Sequence, residues 1–148
     1  MDNILEYLEK TVSMYPDRPA VDDGSVCFNW SELLRLSRKM GAAISGHTKS
    51  GKPVAVLAEK NAVTLAAMFG IIYAGCFYVI IDPSQPSARL KEIFRVLEPE
   101  FVIVDNKNEK CLEEAEYCGK SYQLGDIIRE TADIRKFREI RKRNCGQI

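Results

Sequence analysis

The sequence has 148 residues, 46% of them hydrophobic, with 21 basic against 21 acidic side chains and no formal net charge. A single domain of that length would bury roughly 70% of its unfolded surface, and this composition can fill the core. Zero net charge excludes a global field that draws nucleic acid or an acidic membrane, and the lack of any run of ~18 apolar residues excludes a spanning helix. The five cysteines are odd in number and scattered, which reads as reduced thiols of a cytoplasmic protein rather than a disulfide framework. The start, Met1-Asp2-Asn3-Ile4-Leu5-Glu6, is acidic and amphipathic, unlike a signal peptide.

Ile4, Leu5, Leu8, Val12 and Tyr15 recur at helical spacing, so residues 2–15 read as an amphipathic helix. Tyr15-Pro16-Asp17-Arg18-Pro19 breaks it. Ala20 to Asp22 and Val26 to Phe28 flank Asp23-Gly24, which signals a hairpin with a type I′ turn. Asn29 then caps a helix, with Glu32 completing a capping box and Leu33, Leu36, Met40 and Ile44 as its core stripe. That helix ends near Gly46.

From Pro53 onward strands and helices alternate. Pro53 to Ala58 reads as a strand, and Asn61 caps a helix over Ala62 to Ala74 that is apolar on nearly every face and hence central and buried. Gly75 ends that helix as a residue free to take positive φ. Phe77 to Ile81 is a continuous apolar run, expected of a strand covered on both faces. Asp82-Pro83-Ser84 stops it, and Pro86 suits the first turn of a helix reaching Glu98, with Leu90, Ile93, Phe94 and Leu97 inward and Pro99 beyond its end. Phe101 to Val104 is a strand, Glu109 to Tyr117 a polar helix and Ser121 to Leu124 a final short strand. Alternation of this kind implies parallel strands with right-handed crossovers. The expected fold class is therefore α/β: a mostly parallel sheet with flanking helices, preceded by a helix and a β-hairpin. The expected division is a subdomain over 1–126 and a basic helix or tail over 127–148, in which Arg135 to Arg143 holds six basic residues and one acid.

Four segments, in order, carry a resemblance: Tyr15 to Val21; Phe28-Asn29-Trp30-Ser31-Glu32-Leu33; the strand, turn and helix from Val54 leading into Ala74 to Leu90; and Glu98 to Val104. The second resembles the LTYxEL core motif, and Ala74 to Leu90 the AG.xYVPIDP..P..RL motif, of the adenylate-forming enzymes, the AMP-producing acyl and amino-acid ligases. The pattern is most similar to peptide-synthetase adenylation domains and D-alanine–carrier-protein ligases. Ile80 stands where that family usually has Pro, Cys76 where it has a small or polar residue, and Trp30 where it has Tyr. None of the three removes a group the reaction needs.

The resemblance implies that a full-length relative binds ATP and Mg, activates a carboxylic or amino acid as the acyl-adenylate, and passes it to an acyl or peptidyl carrier protein or to CoA. Its phosphate loop, its acidic residue and its C-terminal lysine all lie downstream of the matching region. After residue 105 only Gly119, Gly125 and Gly146 occur, too far apart to cradle a triphosphate. The expectation is an N-terminal fragment, catalytically incomplete alone, as an internal truncation, an excised domain or a frameshifted gene would leave. No catalytic, cofactor-binding or metal residue is assigned within it. The alternative is a stand-alone interaction or scaffold module derived from such an enzyme. Surfaces left open would favour self-association.

Other features read as structure rather than chemistry. Gly46 to Pro53 falls one residue short of a Walker A string, but a helix precedes it, a strand follows, and Pro53 replaces the magnesium-binding hydroxyl. His47, the single histidine, reads as a loop residue. Cys111 and Cys118 are seven apart, unlike metal spacings, and read as free thiols. Ser31 and Ser45 lack a hydrolase elbow context. The basic tail lacks aromatic interleaving beyond Phe137, which disfavours nucleic-acid binding.

Overall fold

A computed structural model describes residues 3–131 of the chain; the basic segment Arg135 to Arg143 lies outside the described residues. Helix α1 spans Ile4–Met14, and its N-cap Asn3 side chain accepts from the Leu5 N–H. Strands β1 (Pro19–Asp22) and β2 (Cys27–Asn29) form an antiparallel hairpin. Helix α2 (Trp30–Ser45) starts with the expected capping box: Asn29 Oδ1 accepts from Glu32 N at 2.8 Å, and Glu32 Oε1 from Asn29 N at 3.2 Å.

The hairpin turn differs from the sequence expectation. A type I′ turn needs positive φ at both central residues, whereas in this loop only Gly24 takes it, at 86°. The reason is the Asp23 side chain. Its Oδ1 accepts from the N–H groups of Ser25 and Val26, both at 2.8 Å, so a side-chain turn replaces the tight backbone one.

The remaining strands are β3 (Pro53–Leu57), β4 (Phe77–Ile80), β5 (Phe101–Val104) and β6 (Lys120–Gln123). They form one wholly parallel sheet in the order β4-β3-β5-β6. Between them run α3 (Ala62–Tyr73), α4 (Ser87–Leu97) and the short α5 (Lys110–Glu114), and α6 (Leu124–Thr131) follows β6. The sequence reading carries the last strand through Leu124, where α6 begins.

Side chains alternate across the sheet, as the period of a strand requires. Val54, Val56, Phe101 and Ile103 enter a core shared with α1, α2, α3, α6 and the hairpin. Ala55, Leu57, Val102 and Val104 enter a second core under α4 and α5. The architecture is three layers, with helices on both faces of the sheet.

Three further expectations are corrected. β4 is an edge strand, paired with β3 alone, and it leaves Phe77 and Ile80 exposed rather than covered on both faces. Period and composition cannot reveal strand order, so an apolar edge looks like an apolar centre. The helix α3 buries Ala66, Ala67, Gly70 and Ile71, but Leu65, Met68, Phe69 and Ile72 are only half-buried. Pro86 stands at the N-cap of α4 rather than in its first turn.

Candidate functional site

In an open parallel sheet, ligands lodge outside the carboxyl ends of the strands where the strand order reverses. Here the chain leaves β3 outward to β4, then returns across β3 to β5, so the reversal lies between β3 and β5. A surface crevice lies there, lined by Asp23 and Ser25 of the hairpin, Glu59 and Asn61 after β3, and Asp105 and Asn106 after β5.

Its polar groups are bound to one another. Asp23 Oδ2 accepts from the Ala62 N–H at 2.8 Å, placing a carboxylate on the first residue of α3. Asn61 Oδ1 takes the Thr64 N–H at 2.9 Å, and the Thr64 hydroxyl donates to the Glu59 carbonyl oxygen at 2.7 Å. Asp105 Oδ2 accepts from Glu59 N at 3.0 Å, while its Oδ1 accepts from Asn108 N at 3.1 Å and Asn108 Nδ2 at 2.6 Å. Lys107 Nζ lies 3.2 Å from Glu59 Oε1.

A helix N-terminus is a ready seat for phosphate, but the α3 seat holds the Asp23 carboxylate. A triphosphate would have to displace it and would meet Glu59 and Asp105 beside it. Lys60 and the first residues of α6, Leu124 and Gly125, line the same crevice. No group of three His, Cys, Asp or Glu that could hold a metal ion occurs among the described residues. What the arrangement does is brace: it ties the hairpin to α3, and the β3 loop to the β5 loop.

The other singled-out residues lie elsewhere. In the loop from Gly46 to Pro53, the Ser50 hydroxyl donates to the Gly75 carbonyl oxygen at 3.1 Å and Gly51 N to the same oxygen at 2.8 Å, clipping the loop to the end of α3. His47 is more than a loose loop residue: its ring stacks on Phe101 at 5.9 Å and lies 4.2 Å from Tyr122, centroid to centroid. Cys111 is buried with its thiol 3.6 Å from the Pro83 carbonyl oxygen, and burial pushes its pKa up, Glu114 adding to the effect. Cys118 is exposed. The Ser45 hydroxyl donates to the Ala42 carbonyl oxygen at 2.8 Å. In the turn after β4, Asp82 Oδ1 accepts from Ser84 N at 2.9 Å and Ser84 Oγ at 2.7 Å, and these bonds hold its carboxyl below the usual range.

The family model of AMP-binding enzymes matches residues 8–142. The chain belongs to the AMP-binding enzyme family. Among curated relatives, a D-alanine–D-alanyl carrier protein ligase of Staphylococcus aureus is 29% identical over 127 residues, covering 86% of this chain and 25% of the relative. Among solved structures, VinN in complex with 3-methylaspartate superposes with a TM-score of 0.81 at 18% identity, over 95% of this chain and 38% of VinN. The o-succinylbenzoate coenzyme A synthetase of Bacillus subtilis, in complex with AMP, gives 0.76 at 19% identity, over 86% and 33% of the two chains. The chain spans about a quarter of the length of the curated relatives it matches.

In this AMP-binding family member the Ala74 to Leu90 motif forms the end of α3, β4, the Asp82 turn and the first turn of α4. Gly75, at φ 79°, makes the reversal, and a Cβ there would lie 2.5 Å from Ser50 Oγ. The motif thus packs a loop against an edge strand. The braces Asp23, Glu59 and Asp105 were not singled out from the sequence for such roles. Acids and amides directly after apolar strands are the signal that could have found them.

Proposed function

We propose that this chain is the N-terminal part of an ATP-dependent, AMP-forming ligase, one that activates a carboxylic or amino acid as its acyl-adenylate for transfer to a thiol carrier. In this reading the chain supplies scaffold, while ATP, Mg, the acid and the carrier protein or CoA engage the remainder of the enzyme. The family match supports the reaction class. The observation that carries the scaffold role is the Asp23 carboxylate on Ala62 N, which fills from within the helix terminus of α3 at the switch-point crevice. The free thiols Cys76, Cys111 and Cys118 support a reducing, cytoplasmic setting. A basic tail from residue 127 is part of this proposal.

The second reading, a non-catalytic interaction module that self-associates or docks a partner, is favoured by the exposure of Phe77 and Ile80 on β4. Sequencing the transcript beyond codon 148 separates the two. A continuing frame that encodes a Ser/Thr/Gly-rich loop ending in Gly-Lys is the expected result. A stop codon there would overturn the ligase reading in favour of the module.

A further inference from the structure

Helix α4 leads into β5 and α5 into β6, so both helices end beside the starts of the strands, at the end of the sheet opposite the switch-point crevice. A pocket of about 590 Å³ lies there, between the last turns of α4 and the segment after α5. Small-molecule sites usually hold about 300–1,000 Å³. The pocket has an aromatic floor: the rings of Phe94 and Tyr117 lie 5.4 Å apart, centroid to centroid, tilted by 52°. The Tyr117 hydroxyl is turned away to donate to the Lys120 carbonyl oxygen at 2.8 Å. What the floor offers a ligand is ring surface.

The rim carries three carboxylates against two cations. Lys91 Nζ lies 3.0 Å from Glu116 Oε1, and Arg95 Nη2 lies 2.6 Å from Glu92 Oε1, so both cations are engaged. Glu98 is left over: its carboxylate makes no hydrogen bond or ion pair with another described residue. It stands at the C-cap of α4 with φ 46° and ψ 55°, in the left-handed region. Glycine is the residue such a position favours, yet here it bears a charge. The negative end of the α4 dipole lies at the same place. Glu116, the other non-glycine residue with positive φ among the described residues, is on the same rim, at φ 55°. The pocket thus joins one uncompensated carboxylate and a helix C-terminus to an aromatic floor, and ring faces attract cations.

We infer that this pocket binds a small organic monocation, a primary amine on an apolar or aromatic stem, with Glu98 as counter-ion and the Phe94 and Tyr117 rings as floor. An anion would meet Glu98 and the C-terminal end of α4, both of the wrong sign. A neutral apolar molecule would fill the floor but gain nothing from Glu98. The site lies at the opposite end of the sheet from the switch-point crevice, so it stands whether or not the ligase reading does.

The test titrates the full 148-residue chain with phenethylamine and, separately, with its neutral isostere phenethyl alcohol. Binding is read from the amide shifts of Glu98, Tyr117 and Gly119 and from the alkylation rate of Cys118, an exposed thiol on the same pocket. The expected result with the amine is saturable shifts at a Kd of about 1 mM or tighter and slowed alkylation, with the alcohol bound about fivefold more weakly or worse. Glu98→Gln should weaken the amine about fivefold and leave the alcohol as it was. Glu98→Gly, which suits the positive φ and also removes the carboxylate, should do the same. Glu6→Gln, on α1, should change neither. Thermal melts confirm that each variant folds. Shifts that do not saturate with the amine, equal affinity for amine and alcohol, or an amine affinity unmoved by both Glu98 variants would overturn the site.

Discussion

Gly41 of α2 and Gly70 of α3 meet where the two helices cross. A Cβ on Gly41 would lie 2.9 Å from the Gly70 carbonyl oxygen and 2.7 Å from Tyr73 Cβ; one on Gly70 would lie 2.9 Å from Met40 Cβ and 3.0 Å from Gly41 N. The helices approach backbone to backbone, which buries Ser37, Met40, Ala66 and Ala67 between them and the sheet. Replacing Gly70 by Ala would gain about 1 kcal/mol of helix propensity. The crowded atoms are backbone and Cβ, which cannot swing aside, and overpacking of this kind costs about 1–3 kcal/mol. The clash should win, so Gly70→Ala is expected to lower the midpoint of urea unfolding. A raised midpoint would show that the helices can separate without loss.

A second expectation concerns Asp23. Its carboxylate accepts from Ser25, Val26 and Ala62 N–H groups together, joining the hairpin to the start of α3. Asp23→Ala should cost about 1–2 kcal/mol, as loss of a helix cap does, and speed amide exchange at Ser25, Val26 and Ala62. Exchange at Ala62 unchanged in the variant would mean that another group caps α3.

Ile71 is wholly buried between α3 and the sheet. An unpaired carboxylate there costs at least several kcal/mol, against a total stability of about 5–15 kcal/mol. Ile71→Asp should therefore fail to fold cooperatively, as read by its thermal melt. A melt like the parent's would refute the placement of this helix.

Tyr117 provides a pH signature. Its hydroxyl lies 2.8 Å from the Lys120 carbonyl oxygen, to which it donates, and 3.1 Å from that of Pro99. Burial, with the Glu100 carboxylate adding to it, pushes its pKa up to about 12, from an ordinary value of about 10. A raised pKa means that the folded state favours the protonated phenol. The stabilisation is complete below about 10 and is lost as the pH rises through the folded value. Tyr117→Phe should cost about 1 kcal/mol at neutral pH, and its deficit in melting temperature should shrink between pH 10 and 12. A deficit constant across that window would show that the hydroxyl does not titrate late.

Local features of the fold were legible where chemistry and period agree within a few residues. The Asn29–Glu32 capping box and the strand Phe101–Val104 stand where the sequence places them. Long-range relations were not legible. Asp23 and Ala62 are 39 residues apart, and Glu59 and Asp105 46, so no local pattern joins them. The edge position of β4 follows from strand order, which an apolar run does not encode. The start of α6 at Leu124 escaped because Gly125 and Asp126 follow it, residues of low helix propensity. Family membership was legible because its motifs are packing motifs, ordered along the chain. For the same reason they name the scaffold and not the reacting groups.

The measurement that bears most directly on the account is ATP–pyrophosphate exchange by the purified chain alone, with D-alanine and a panel of other amino and carboxylic acids. The chain is proposed to be scaffold, with the Asp23 carboxylate seated on Ala62 N at the switch-point crevice. That role predicts exchange no greater than in a protein-free control for every acid. Exchange above that control with any of them would contradict it.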